Sequence, residues 1–184
     1  MFRLIRKILT WVVVLLAVAA IGYFVVLPKV LPIKYREQVE KYAKMYDVEE
    51  SLIFAVIFCE SRFDPEAHSR ADAKGLMQVT TETGWWVASR VDYLDVETLN
   101  LKDPETSIAV GTWYLQWLEE KFGEVRPTVL AAYNAGHGKV SQWLSDNQYS
   151  EDGYHLEEIP FPETNSYVKK VELVQKLYKI FYRL

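Results

Sequence analysis

Residues 51–79 read SLIFAVIFCESRFDPEAHSRADAKGLMQV, and the first ten of them decide how the rest is read. From Leu52 to Cys59 every residue is apolar or small, and the run then stops on Glu60. A segment with no polar face belongs in a protein interior. A carboxyl at its end meets a partly desolvated setting, where the charged form is disfavoured. If the run is a helix, Glu60 also stands at its C-terminus, where unpaired carbonyls oppose an anion. Both effects raise the pKa, and a carboxyl still protonated near neutral pH is what general-acid chemistry requires. The alternative is a helix-end glutamate turned to solvent and paired with Arg62.

On either side of this run the pattern is helix after helix, with little β alternation. Upstream, YREQVEKYAKMY places Val39, Tyr42, Ala43 and Tyr46 at helical spacing. Asp47, with Glu50 three residues on, reads as a cap opening a helix over Val48–Glu60. Downstream, FDPEAHSRADAKG reads as a long polar loop, and Thr80 or Thr81 caps a helix over TTETGWWVASRV. Asp103 and Pro104 suit the cap and first position of a strong helix carrying Ile108, Trp113, Leu115 and Leu118, with Gly123 as its stop. RPTVLAAYNAGHGKVSQWL reads as two short helices about a turn at Ala135–Gly138, and PETNSYVKKVELVQKLYKIFYRL as one long amphipathic helix.

The first 34 residues have a different character. Ile8–Leu27 is an uncharged apolar run of 20 residues, preceded by Arg3, Arg6 and Lys7. As a helix it would rise roughly 30 Å, the hydrocarbon thickness of a bilayer. The preceding cations place the N-terminus inside and the remainder outside. A cleaved signal peptide is the rival, with Ala17-Val18-Ala19 resembling a cleavage site, but the run continues through IGYFVVL beyond it. The expected organisation is a cytoplasmic tail over 1–7, a transmembrane anchor or signal over 8–27, a connector and helix start over 28–39, and a catalytic domain over 40–184. Either reading exports that domain.

Composition narrows the function. At 184 residues and 50% hydrophobic the chain can build one real core. Residues 1–34 hold five of the 21 cations and no acid, leaving 16 basic and 25 acidic side chains beyond them, a balance of −9. That argues against a nucleic-acid partner. Twelve Tyr and six Trp suit a core, and also a site that binds sugars or other flat ligands. The single cysteine, Cys59, excludes an intrachain disulfide and a multi-cysteine metal site, and reads as a buried thiol. His68, His137 and His155 lack ligand spacing and read as loop or surface residues, so no metal or other cofactor is expected.

Four motifs then occur in order: ES at 60–61, GLMQV at 75–79, AAYNAGHGKV at 131–140 and PETNSYVKKV at 162–171. Together they resemble the lytic transglycosylases of the soluble type, relatives of goose-type lysozyme, over roughly residues 40–182. The resemblance implies an all-α, lysozyme-like domain following the N-terminal helix, and Glu60 as the single catalytic acid. It implies that Ser61 positions the glutamate or substrate, that Met77 and Gln78 contact sugar, and that Tyr133 and Asn134 face the acid across a cleft. It implies that Glu163 and Tyr167 support the site. Each has a plainer alternative: Leu76 and Met77 as core, Gly136 and Gly138 as a turn, Glu163 as a helix-start acid. The approach to GLMQ departs from the family. Asp72 and Lys74 stand where glycine and alanine are common, and Thr81 stands where a proline often is, changes that bear on loop shape.

The implied reaction needs one carboxyl. Glu60 would protonate the bond between N-acetylmuramic acid and N-acetylglucosamine in peptidoglycan strands, with the muramyl N-acetyl group assisting. It would then accept the proton of the muramyl 6-hydroxyl as that oxygen closes a 1,6-anhydro ring, an intramolecular attack favoured by high effective concentration. Trp85, Trp86 and Tyr133 are candidates for excluding water. Asp64, Glu66, Asp72 and Glu82 read as solvated acids. The rival readings are a hydrolytic goose-type muramidase, an inactive peptidoglycan-binding module, and a membrane-tethered scaffold for wall machinery whose partners the sequence does not name.

Overall fold

A computed structural model of the chain describes residues 2–123 and 125–184, without the side chains of Phe2, Leu4 and Ala19. Met1 of the expected tail and the Ala19 side chain of the A-x-A stretch therefore lie outside the described residues. The chain divides into two compact units, Met1–Lys34 and Tyr35–Leu184. In the first, α1 (Phe2–Ile21) continues through a π-helical turn, Gly22–Val26, into α2 (Leu27–Val30). Pro28 has no N–H to give the turn before it, and its ring crowds the carbonyl of residue 24. The wider turn, in which the Leu27 N–H bonds the Gly22 carbonyl, accommodates it. Ile5–Val30 is long and apolar enough to cross a membrane, and its described large apolar side chains are almost all exposed.

The second unit is built around α4 (Glu50–Glu60). Ser51 to Ile57 are all buried, as a helix hydrophobic on every side must be. Around it pack α3 (Arg36–Tyr46) and α9 (Pro162–Tyr182), and α7 (Arg126–Ala135) packs on α9. The helix α6 (Pro104–Phe122) joins α3 to α7, with α5 (Thr81–Ala88) against α6 and α8 (His137–Leu144) against α7. Helix α9 runs antiparallel to α4: Lys170 Nζ donates to the Cys59 carbonyl at 3.4 Å near one end, and Lys179 Nζ pairs with Glu49 at 2.7 Å at the other. At that second end Gln175 donates to Glu49 at 2.5 Å, so this buried amide is satisfied. The Cys59 thiol is pushed up to about 11, chiefly by burial.

Several helix ends follow the sequence. Asp103 accepts from the Thr106 N–H at 2.8 Å before Pro104, Gly123 takes a left-handed conformation at the end of α6, and Thr80 accepts from the Thr83 N–H at 3.2 Å. Asp47 does not cap α4. It ends α3 in a left-handed conformation (φ 54°), its N–H bonded to the Ala43 carbonyl, and α4 starts later, after Glu49. A short polar side chain tolerates that conformation, and the geometry leaves Val48 free to enter the core.

The polar loop also holds structure that its composition hid. Ala73–Lys74 (β1) and Val79–Thr80 (β2) form a two-stranded antiparallel ribbon in the register Ala73–Thr80 and Lys74–Val79. Gly75-Leu76-Met77-Gln78 is the turn between them. Gly75 (φ +75°) is obligatory, because a Cβ there would lie 1.8 Å from the Leu101 carbonyl oxygen. Gly111 in α6 is equally constrained, since a Cβ would come within 2.7 Å of the Met77 Cβ and 2.5 Å of its sulfur. Gly138 faces open space. Gly111→Ala is expected to destabilise the fold by about 1–3 kcal/mol through overpacking, and Gly138→Ala to be neutral or slightly stabilising. Thermal unfolding of the two variants beside the parent checks this ordering.

Candidate active site

Glu60 is the last residue of α4 and is partly buried. Its carboxyl is pushed up to about 7, mainly by burial, with the Tyr167 hydroxyl and the Lys170 ammonium pulling the other way. It makes no ion pair with Arg62, which instead lies over the Phe58 ring, 5.3 Å from its centroid. The Tyr167 hydroxyl and Thr112 Oγ1 are the buried side-chain polar atoms without a hydrogen-bond partner among the described residues. Tyr167 is thus close enough to polarise Glu60 while stopping short of a full hydrogen bond to it. Burial and the Glu60 charge both hold the Tyr167 phenol neutral.

Around Glu60 the four motifs converge through their backbones. The Ser61 hydroxyl donates to the Leu76 carbonyl at 2.8 Å, tying the end of α4 to the ribbon turn. Arg62 and Phe63 follow in left-handed conformations (φ 52° and 65°), which turn the chain sharply away from the acid. The Tyr133 hydroxyl donates to the Met77 carbonyl at 2.8 Å, tying α7 to the same turn. Burial and the nearby Glu60 charge raise the Tyr133 pKa, so it remains a donor. Asn134 Oδ1 accepts from the Thr164 hydroxyl at 2.8 Å, tying α7 to α9.

Two expected contacts take a different form. The Met77 side chain is fully buried against Gly111 and is not among the residues lining the cleft beside the ribbon; its carbonyl accepts from Tyr133. Glu163 is exposed in the first turn of α9, favoured there by the helix dipole, and makes no hydrogen bond or ion pair among the described residues. Its neighbour Thr164, buried and bonded to Asn134, makes the connection instead.

A cleft of about 560 Å³ opens beside the ribbon, lined among others by Gln78, Glu82, Trp86, Tyr133, Asn134 and His137. Glu60 is not among its lining residues; Tyr133 links the two, lining the cleft while lying within electrostatic reach of the acid. Gln78 (φ 47°) donates its amide hydrogens to the Ala67 and Gly75 carbonyls, both at 3.0 Å, which leaves its amide oxygen for a ligand donor. Trp86 packs edge-on against Trp113 and Trp117, giving one wall an aromatic surface. Trp85 is elsewhere, 53% exposed over a depression with Lys74 and Leu99, because adjacent helical residues point about 100° apart.

His137 is exposed, as its sequence setting implies, yet it also belongs to the cleft. It is the first residue of α8, stacks with Trp86 and lines the cleft, with its pKa lowered by burial and then by Lys121. Its place inside AYNAGHG was the available signal. Lys170 had none, since a lysine on an amphipathic helix looks like any solvated cation. Of the other acids, Asp64 accepts from the Glu66 N–H, Glu66 pairs with Lys102 and Asp72 with Lys74, while Glu82 lines the cleft. Among the described residues no group of three or more His, Cys, Asp or Glu is placed to hold a metal ion.

Residues 37–156 match the family described as the transglycosylase SLT domain. The chain is 35% identical to the soluble lytic murein transglycosylase of Salmonella typhimurium, over 82% of this chain and 24% of that protein. It is 34% identical to membrane-bound lytic murein transglycosylase C of Sodalis glossinidius, over 79% of this chain and 47% of the relative. It thus spans about a quarter of the soluble relatives and under half of the membrane-bound ones. Among solved structures, the 70 kDa soluble lytic transglycosylase of Escherichia coli superposes with a TM-score of 0.72 at 31% identity, covering 85% of this chain and 26% of that one. The lytic transglycosylase Slt of Pseudomonas aeruginosa, solved as an inactive glutamate-to-glutamine variant, gives 0.76 at 30% identity over 98% of this chain and 30% of that one. With the family pattern covering most of the Tyr35–Leu184 unit and the motif residues gathered about Glu60, the chain belongs to the transglycosylase SLT domain family.

Proposed function

We propose that this chain is a peptidoglycan lytic transglycosylase that cleaves the β-1,4 bond between N-acetylmuramic acid and N-acetylglucosamine, leaving 1,6-anhydromuramyl ends. The observation that carries this is a carboxyl held near pKa 7 at the buried end of α4. Its lytic transglycosylase relatives and the inactive glutamate-to-glutamine variant of the Pseudomonas enzyme support it.

Glu60 enters the reaction protonated and gives its proton to the glycosidic oxygen as the bond to the anomeric carbon breaks. The muramyl N-acetyl oxygen stabilises the cationic centre. Glu60, now a carboxylate, is steadied by the Lys170 charge and the Tyr167 hydroxyl, the two groups that already lower its pKa. It then takes the proton of the muramyl 6-hydroxyl as that oxygen bonds the anomeric carbon, which restores the acid. Ser61 and Tyr133 hold the ribbon turn against the acid, and Gln78 and Asn134 offer polar contacts to the sugar. A hydrolytic reading rests on Glu82, the acid that lines the cleft among the described residues. The N-terminal helix suggests membrane anchoring, as in the membrane-bound relatives by name, and a peptidoglycan substrate puts the catalytic unit outside the cytoplasm.

Digestion of purified peptidoglycan by the full chain, followed by mass spectrometry, should give anhydromuramyl products one water lighter than reducing ends. Glu60→Gln should lower the yield about 10²–10⁴-fold with the fold intact. Reducing ends would instead transfer the second role to Glu82. Because the free enzyme must carry the Glu60 proton, kcat/KM should be flat below about pH 7 and fall about tenfold per pH unit above it. Lys170→Ala should move that limb to higher pH, since Lys170 lowers the Glu60 pKa.

Stability carries the same signature. Between the unfolded value of about 4.5 and the folded value of about 7, the native state keeps a proton that the unfolded chain has released, so native stability falls as pH rises through this window. Glu60→Gln lacks that loss. The variant should gain about 3 kcal/mol on the parent between pH 4 and pH 8, read from denaturant unfolding at each pH.

A further inference from the structure

We propose that the exposed face of the C-terminal half of α9 rests on the surface of an anionic bilayer, holding the Tyr35–Leu184 unit against the membrane. This goes beyond the catalytic reading and depends on the anchoring half of it.

Three observations converge on that face. The first is charge. Residues 35–184 carry a balance of −9, yet from Lys169 to Arg183 the helix has five cations and one acid, Glu172. Two of those cations are engaged, Lys179 with Glu49 and Lys170 with the Cys59 carbonyl. Lys176 and Arg183 make no ion pair among the described residues. A cationic strip on an otherwise acidic domain is complementary to anionic headgroups.

The second is apolar exposure at the same place. Leu173 is 58% exposed, Ile180 69% and Phe181 40%. At about 100° per residue, Leu173, Lys176 and Ile180 fall within about 60° of arc, and Arg183 follows as the left-handed cap of the helix. Large apolar side chains interleaved with cations on one helical face are the pattern of a helix lying in a membrane interface. The buried stripe of α9, with Val171, Val174 and Tyr178, is already used against the core.

The third is reach. Helix α2 ends at Val30, so residues 31–34 separate it from Tyr35, where the unit begins, and four extended residues span at most about 14 Å. Arg36, the second residue of that unit, shares a surface depression with Lys179 and Arg183. The anchored end of the unit and the end of α9 are therefore the same end. A tether this short keeps the face at high effective concentration against the bilayer, so weak contacts suffice.

The test uses the full chain in vesicles of phosphatidylcholine with phosphatidylglycerol. A photo-reactive benzoylphenylalanine replaces Ile180 in one preparation and Trp85, exposed on α5, in another. Flotation after an alkaline wash first reports anchoring. In floated samples, lipid adducts at position 180 should exceed those at 85 by about tenfold or more. Lys176→Glu with Arg183→Glu, or phosphatidylcholine alone, should lower the adducts at 180 about tenfold without changing flotation. Equal adducts at both positions, none at 180 in a chain that floats, or cross-links from 180 to a second copy would each overturn the inference while leaving the anchor standing. A chain that does not float removes the anchor, and the inference with it.

Discussion

Everything in the Tyr35–Leu184 unit is arranged by the need to surround a helix that has no polar side. Helix α4 buries Ser51 through Ile57, so neighbours must close on every flank, and α3 and α9 do so. The same burial acts on its last residue. A carboxyl that would sit near 4.5 in water is held near 7, because the surroundings that exclude water from α4 also exclude it from Glu60. Core packing and acid strength thus have one cause.

The site is then assembled less by side chains reaching for the acid than by side chains fastening backbone segments to one another. Ser61 holds the Leu76 carbonyl and Tyr133 the Met77 carbonyl, while the Thr164 hydroxyl donates to the side-chain oxygen of Asn134. The ribbon turn can lie this close because Gly75 admits the Leu101 carbonyl and Gly111 admits Met77. Two groups facing Glu60 from α9, Tyr167 and Lys170, oppose the desolvation without cancelling it. An acid of intermediate strength follows, able to give a proton away and to take one back.

Helix α9 serves the molecule along its whole length. Its first half supplies Thr164, Tyr167 and Lys170 to the site, and its second half locks onto Glu49 at the opposite end of α4. The two helices are antiparallel, so contacts along α9 reach both ends of α4.

Much of this was legible in the residues. The unbroken apolar run ending on Glu60 located both the central helix and its acid, and Asp103-Pro104, Gly123 and Thr80 marked helix ends through local chemistry that needs no distant partner. Asp47 could by sequence open α4 or close α3, and the burial of Val48 goes with its closing α3. The two-stranded ribbon escaped notice because two-residue strands carry no periodicity. Met77 could have been core or contact until Gly111, 34 positions away, was seen to make room for it. Lys170 and His137 are solvent-facing, as their sequence setting implies, and only the packing of α9 and α8 brings them beside the acid and the cleft. What the sequence alone determined is whatever depends on neighbours along the chain: helices, caps, and a carboxyl with no polar company. Which groups meet that carboxyl was decided only by the tertiary structure, because desolvation and Coulomb interactions depend on distance through space.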